Sequence, residues 1–497
     1  MSIKGLRNPR ELILLLLQIK SNMKKLLAFF SLFCFIWSVN AQPVPAGYDT
    51  FFSDQTMRVD YFHTGTAAEE HFSVDRIIND GRWAGSKTIL EDELNRGLYF
   101  FEVTEQQSGR PLYSRGFASI FGEWQTIGEA KKNWGTFHES VRFPWPKRPV
   151  VLTIKKRNDK NEFTDIWSTT IDPTSRKVNP AEYTSPYKSW NYIENGNPNK
   201  KVDIVILGDG YAENEMKKFR SDVMRLTDEL FKVEPYKSRK TDFNLWAVET
   251  PAAESGVNKP HPGVFKRTPL SMSYSAFDSE RYALAYDNRT IRDVAASVPY
   301  DYMFILINED TYGGGGIFNL YSAVAVDNKF SDYVFVHEFG HSFAALADEY
   351  YTSDVSYEAP PEITMEPWEP NVTALLDKNN LKWSDLVEPG TPIPTPWDKK
   401  DFDNFGYEIQ KERRALRAAK VPEKEVEALF EREKKELIDM IDDMEYKNTT
   451  GAFEGGNYMQ YGIYRSSIDC IMFTRNHQVF CPACQKAISE VIDQYSK

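Results

Sequence analysis

Between residues 42 and 172 apolar and polar positions alternate in short runs, as at 56–62, 98–103 and 150–154, with Gly, Pro, Asn and Asp between them. A period of two gives each strand one apolar face, which predicts an antiparallel β-sandwich. Residues 173–199 are rich in Pro, Ser, Asn and Tyr and predict a linker. The period then changes. Residues 202–207 form an apolar run interrupted only by Asp203, followed by Gly208-Asp209-Gly210-Tyr211 and a helical pattern at 213–231. That is how a buried strand hands over to a helix in an α/β domain. Further strands are expected at 243–248, 302–307 and 322–326. A charged helical hairpin, broken near Val421-Pro422, is expected as an insertion at about 401–446. It shows no sustained heptad, so it reads as solvated rather than as a coiled coil. The predicted class is α+β: a β-sandwich at 42–172, then an α/β domain over 200–497.

Two apolar runs near the start, 12–17 and 26–37, are too short to span a bilayer comfortably. The second has the form of an export signal: Met23-Lys24-Lys25 is its basic head, and Val39-Asn40-Ala41 its small-residue cleavage site. Residues 1–41 are therefore expected to direct export to the periplasm, cell surface or medium, with Met23 as the working start. No later segment predicts a membrane span. Composition changes this picture little. At 497 residues the chain exceeds one ordinary core, and its net charge of −12 argues against nucleic acid as a partner. After export three cysteines remain, Cys470, Cys481 and Cys484. A disulfide pinning the C-terminal segment is the favoured expectation over half a zinc knuckle or a redox pair, although the pairing is open.

The candidate chemistry lies at His337-Glu338-Phe339-Gly340-His341. Residues four apart share a helix face, so the imidazoles of His337 and His341 converge on one ion, and Glu338 sits beside it as general base. The arrangement predicts a zinc site for amide hydrolysis, acting on a protein or peptide substrate. A third ligand is required. Asp348 follows His337 by eleven residues, close to the same azimuth. Along a straight helix it would lie about 10 Å beyond His341, so the helix must turn first, near Ala345. Glu349 is the alternative, and Glu454 or His477 would serve from a remote segment. A hydrogen-bonding role for Asp348 competes with ligation. Upstream, Gly314, Gly315 and Gly316 suit an edge strand on which a substrate backbone is laid, or else a hairpin turn.

Several motifs together resemble the IgA-peptidase family of bacterial secreted zinc metallopeptidases. They are Leu207-Gly208-Asp209-Gly210-Tyr211, Glu254-Ser255-Gly256, the histidine motif continued by Ser342-Phe343, Asp348-Glu349-Tyr350, Tyr464-Arg465 and Phe480-Cys481-Pro482-Ala483-Cys484. The resemblance implies a metzincin-like catalytic fold, an accompanying N-terminal β-domain, export and peptide hydrolysis, without implying immunoglobulin A as substrate. It also implies a Met-turn at Met472, and places Tyr461, Tyr464 and Arg465 near the cleft, where a tyrosine would stabilise an oxyanion. The rival expectation is a surface protein that binds host glycoprotein or glycan, its metal site degenerate or structural. The sequence does not bear on oligomeric state.

Overall fold

The computed structural model describes residues 47–353, 355–356, 362–476 and 479–497; the predicted export segment and His477 lie outside them. The N-terminal part is built from strands β1 (Phe52–Gly65), β2 (Glu70–Arg82), β3 (Tyr99–Glu105), β4 (Pro111–Phe117), β5 (Gly135–Pro146), β6 (Val150–Arg157) and β7 (Phe163–Ile171), with a short β8 (Val178–Asn179). They form two four-stranded sheets, ordered β5-β1-β2-β8 and β4-β3-β6-β7. Alternation sets which side chains face inward. Tyr99, Phe101 and Val103 of β3 are buried, as are Val150, Leu152 and Ile154 of β6. The sheets meet through Tyr61 and Trp167, whose rings are 6.1 Å apart, and through Phe101 and Phe143 at 6.5 Å.

The second part holds a six-stranded sheet. Its strands are β9 (Lys188–Ile193), β10 (Val202–Asp209), β11 (Phe243–Glu249), β14 (Tyr302–Ile307), β15 (Gly314–Ile317) and β16 (Tyr321–Ala325), while β12 (Met272–Ser273) and β13 (Leu284–Ala285) pair separately. The order is β15-β16-β14-β10-β11-β9, with a parallel centre and antiparallel edges. Every residue of β10 is buried, as expected of a strand covered on both faces. Ile204 and Ile206 face a core shared with helices Met216–Leu230, Ser331–Ala344 and Pro482–Ser496. Val205 and Leu207 face the opposite core.

The β-rich part contributes to that opposite core. Ile120, Phe121 and Trp124, from the helix Ile120–Trp124 of the β-rich part, pack in one cluster with Val205, Leu207 and Ile305. Buried Arg58 of β1 pairs with Asp60 at 2.9 Å and reaches Asp293 on the helix Asn288–Ala295. The stretch read as a linker also supplies β9, which pairs with β11 at the sheet edge. An edge strand needs one paired side and one half-covered face, so polar composition does not preclude it.

The helical hairpin, Lys399–Ala418 and Glu423–Asp442, is more than a solvated insertion. Its Phe402 and Phe430 are buried, with Phe402 stacked on Phe473 at 4.9 Å and Phe430 against Tyr312 at 5.4 Å. A small sheet of β17 (Val372–Thr373), β18 (Phe453–Gly456) and β19 (Met459–Arg465), ordered β17-β19-β18, completes the fold. No helix among the described residues is long and apolar enough to cross a membrane.

Candidate metal centre

Phe335, Phe339 and Phe343 form an i, i+4, i+8 stripe on the helix Ser331–Ala344 that packs on the sheet: Phe335 stacks on Phe304 at 4.0 Å and Phe343 meets Tyr302 at 4.6 Å. His337 and His341 are offset from that stripe by two residues, roughly 200° around the axis, so they face away from the sheet. The helix is buried on almost every side rather than amphipathic. Ser331 and Asp332 lie inside the first turn, where Arg225 donates to both.

The turn needed before Asp348 falls at Ala345, whose φ of 61° is left-handed. The amides of Ala345 and Leu346 bond back to His341 and Gly340, ending the helix in a left-handed C-cap without glycine. The chain then reverses and returns Asp348 to the histidines. Asp348 Oδ1 lies 3.0 Å from His337 Nε2 and 3.3 Å from His341 Nε2, and the two Nε2 atoms are 3.1 Å apart. A tetrahedral zinc with bonds of about 2.0–2.1 Å has ligand edges of about 3.3 Å, so the three atoms fit one ion.

Hydrogen bonding supports the same fit. His337 Nδ1 meets Ile471 O at 2.9 Å, and His341 Nδ1 meets Leu346 O at 2.6 Å. A carbonyl only accepts, so each Nδ1 carries the proton and each Nε2 turns a lone pair inward. Asp348 Oδ1 is buried with no hydrogen-bond donor of its own. Three lone pairs converging in a buried space require a cation between them. In the metal-free chain a proton serves. Burial opposes charge on His341, but Asp348 and then Glu338 outweigh it and lift its pKa to about 9. Burial pushes the Asp348 carboxyl up, but His341 and then His337 hold it well below the usual carboxylate range.

The chain matches the family model described as IgA Peptidase M64 over residues 191–492, and the model described as Peptidase M64 N-terminus over 47–168. The chain belongs to the M64 peptidase family. It is a metallopeptidase with protein substrates, and His337, His341 and Asp348 form a group that could hold a metal ion. No curated protein matches it.

In this M64 peptidase the metal group opens into a cleft of about 580 Å³, with Glu338 on its wall and Phe277, Tyr282, Phe318, Ile363, Met365 and Trp368 among its apolar lining. Burial raises the Glu338 carboxyl pKa, with His337 and His341 opposing. Met472 is fully buried beneath the metal helix, and a Cβ on Gly340 would come within 3.1 Å of its sulfur. Glu349 is not beside the histidines: its side chain turns to Cys481 and Cys484. Glu454 receives the Gly462 amide on the small sheet and joins no metal group among the described residues.

The residues carried over by resemblance fall elsewhere. Tyr461 is 62% exposed with Lys399 over its ring, and Tyr464 lies half-buried near Glu454. Arg465 is wholly buried, donating to Gly455 O at 2.7 Å with its guanidinium 3.8 Å from the Phe473 ring centre. None of the three lines the cleft among the described residues. Tyr458, three residues before Tyr461, does, and its hydroxyl donates to Asp348 Oδ2. Asn457 and Tyr458 both have positive φ, 46° and 64°, and form the two-residue turn between β18 and β19. Without an Asn-Gly or Asp-Gly pair, that turn carried no sequence signal.

The glycine run is a strand, but only part of its outer edge is open. Gly314 already receives the Ala283 amide at 3.0 Å and donates to Arg281 O at 3.2 Å. Gly315 faces Tyr282, whereas Gly314 and Gly316 lie against the metal helix. A Cβ on Gly316 would sit 2.4 Å from Glu338 O and 3.0 Å from His341 Cβ. Gly316→Ala must push the helix away, and we expect a stability loss of roughly 1–3 kcal/mol. Because the shift reaches base and ligand together, activity should fall by at least ~10-fold. Thermal unfolding and peptide turnover check both.

Proposed function

We propose that this M64 metallopeptidase is an exported zinc endopeptidase that cleaves extracellular proteins, with Glu338 as its general base. The observation that carries the reading is the convergence of His337 Nε2, His341 Nε2 and Asp348 Oδ1 beside a cleft walled by Glu338. Three ligands on one side suit a catalytic rather than a closed structural site. Zinc held there would supply Lewis acidity, activating water and polarising the scissile carbonyl. Glu338 takes the proton of the attacking water and returns it to the leaving amine. Arg281, which donates to the Tyr350 hydroxyl at 3.1 Å, brings positive charge to the same wall. The apolar lining favours an apolar side chain beside the scissile bond. Export rests on the signal-like pattern of residues 23–41.

The test is cleavage of a peptide library and of extracellular proteins, before and after chelation. Activity should disappear with chelator and return with zinc. Turnover that survives complete metal removal would refute the reading. Zinc uptake should also be proton-linked. Below about pH 9 the proton on His341 competes with the metal, whereas Asp348 stays ionised. Apparent affinity should therefore rise by up to ~10-fold per pH unit towards that value. Calorimetry at neutral pH in buffers of different ionisation enthalpy should register about one proton released for each zinc bound at the histidine site.

A further inference from the structure

The three exported cysteines were expected to hold a disulfide, yet they are free in the structure and gather around the carboxylate of Glu349. All four side chains are buried, and their ligand atoms lie within 4.8 Å of one another. Cys470 Sγ is 3.8 Å from Cys484 Sγ, and Glu349 Oε1 is 3.5 Å from Cys484 Sγ and 3.9 Å from Cys481 Sγ. A zinc ion bound by thiolates at about 2.3 Å and by a carboxylate oxygen at about 2.1 Å has S···S edges of about 3.8 Å and S···O edges of about 3.6 Å. We propose that Cys470, Cys481, Cys484 and Glu349 form a second, closed zinc site of structural type.

The surroundings favour a cation over a disulfide. Glu349 is fully buried, and its Oε2 has no hydrogen-bond partner. A disulfide would consume two thiols and leave that oxygen and the third thiol stranded. The sulfurs are also provided with donors: Ser466 Oγ to Cys481 Sγ at 3.0 Å, and the amides of Cys481 and Met472 to Cys470 Sγ at 3.3 and 3.5 Å. Cys481 is the N-cap of the helix Pro482–Ser496, so its sulfur and that of Cys484 lie at the positive end of a helix dipole. The buried Arg465 guanidinium acts electrostatically on Glu349 and Cys470 and offsets charge that a dication leaves. This gives Arg465 a role that its distance from the cleft denies it in catalysis.

Such a site would brace the catalytic centre. Glu349 follows Asp348 directly, and its amide donates to Met472 O at 2.8 Å. Cys470 precedes Ile471, whose carbonyl orients His337. One ion would thus tie together the segment bearing the third ligand, the turn beneath the metal helix and the C-terminal helix.

The test compares the full mature chain with His337→Ala/His341→Ala and Cys481→Ser/Cys484→Ser variants. Elemental analysis should find two zinc ions per chain in the parent and one in the histidine variant. Cobalt-substituted histidine variant should keep an intense near-ultraviolet thiolate-to-cobalt band. The cysteine variant should lose that band and unfold at lower temperature. If it fails to fold, the histidine variant still decides the matter. A histidine variant with no bound metal and no thiolate band overturns the proposal, as does a parent chain whose intact mass shows the deficit of one disulfide. Neither result touches the peptidase reading, which rests on the other site.

Discussion

Glu338→Gln should lose at least ~10³-fold in kcat/KM while retaining zinc at the histidine site. The carboxylate is not one of the three converging ligand atoms, so the amide removes no metal bond. It is close to isosteric and leaves unchanged the packing of Gly314, whose Cβ would stand 3.2 Å from Glu338 Cγ. What the amide cannot do is accept a proton. Burial, the largest influence on this carboxyl, raises its pKa towards that of a useful base, and the imidazoles beside it limit the rise. Zinc content and turnover measured on one preparation separate the two effects. A fully metallated variant within tenfold of parental activity would remove Glu338 from the mechanism.

Asp348→Ala should be as damaging to activity for a different reason, namely metal loss. Two imidazoles alone hold zinc far more weakly than a three-ligand set, so affinity should fall by ~10³-fold or more, taking hydrolysis with it. The fold should persist. The segment is also held by Asn371, which clamps Ala347 through its amide at 2.8 Å and its carbonyl at 2.9 Å. Tyr458→Phe offers a graded control. It removes the donor to Asp348 Oδ2 but leaves Oδ1 facing the histidines, so zinc affinity should fall about tenfold. Competition titrations with a zinc-binding dye rank the three proteins. Unchanged zinc affinity at the histidine site in Asp348→Ala would exclude Asp348 as a ligand.

Much of the site was legible because helix geometry is local. The five-residue motif places His337, Glu338 and His341 on one arc of the helix whatever surrounds it, and eleven-residue spacing singled out Asp348 once a turn was allowed at Ala345. Gly208-Asp209-Gly210-Tyr211 was recognisable but owes its form to packing. Asp209 accepts from Thr268 and from the amides of Leu270 and Met272, and Tyr211 donates to Asp222. Tyr458 was missed because a left-handed tyrosine in a tight hairpin has no composition cue. Tyr461 and Tyr464, nearby in sequence, were preferred in its place.

The chain's own spacing therefore determined the strands of alternating pattern, the buried parallel centre, and the helix that brings His337 and His341 to one face. These depend on repeats of two and of 3.6 residues that neighbours do not alter. Tertiary structure alone decided that Glu349 turns from the histidines to three cysteines more than a hundred residues away, and that the β-rich part shares a core with the central sheet. It also decided that Gly314 is already paired. Each of these is a long-range contact, set by which buried polar groups find partners when the chain closes on itself.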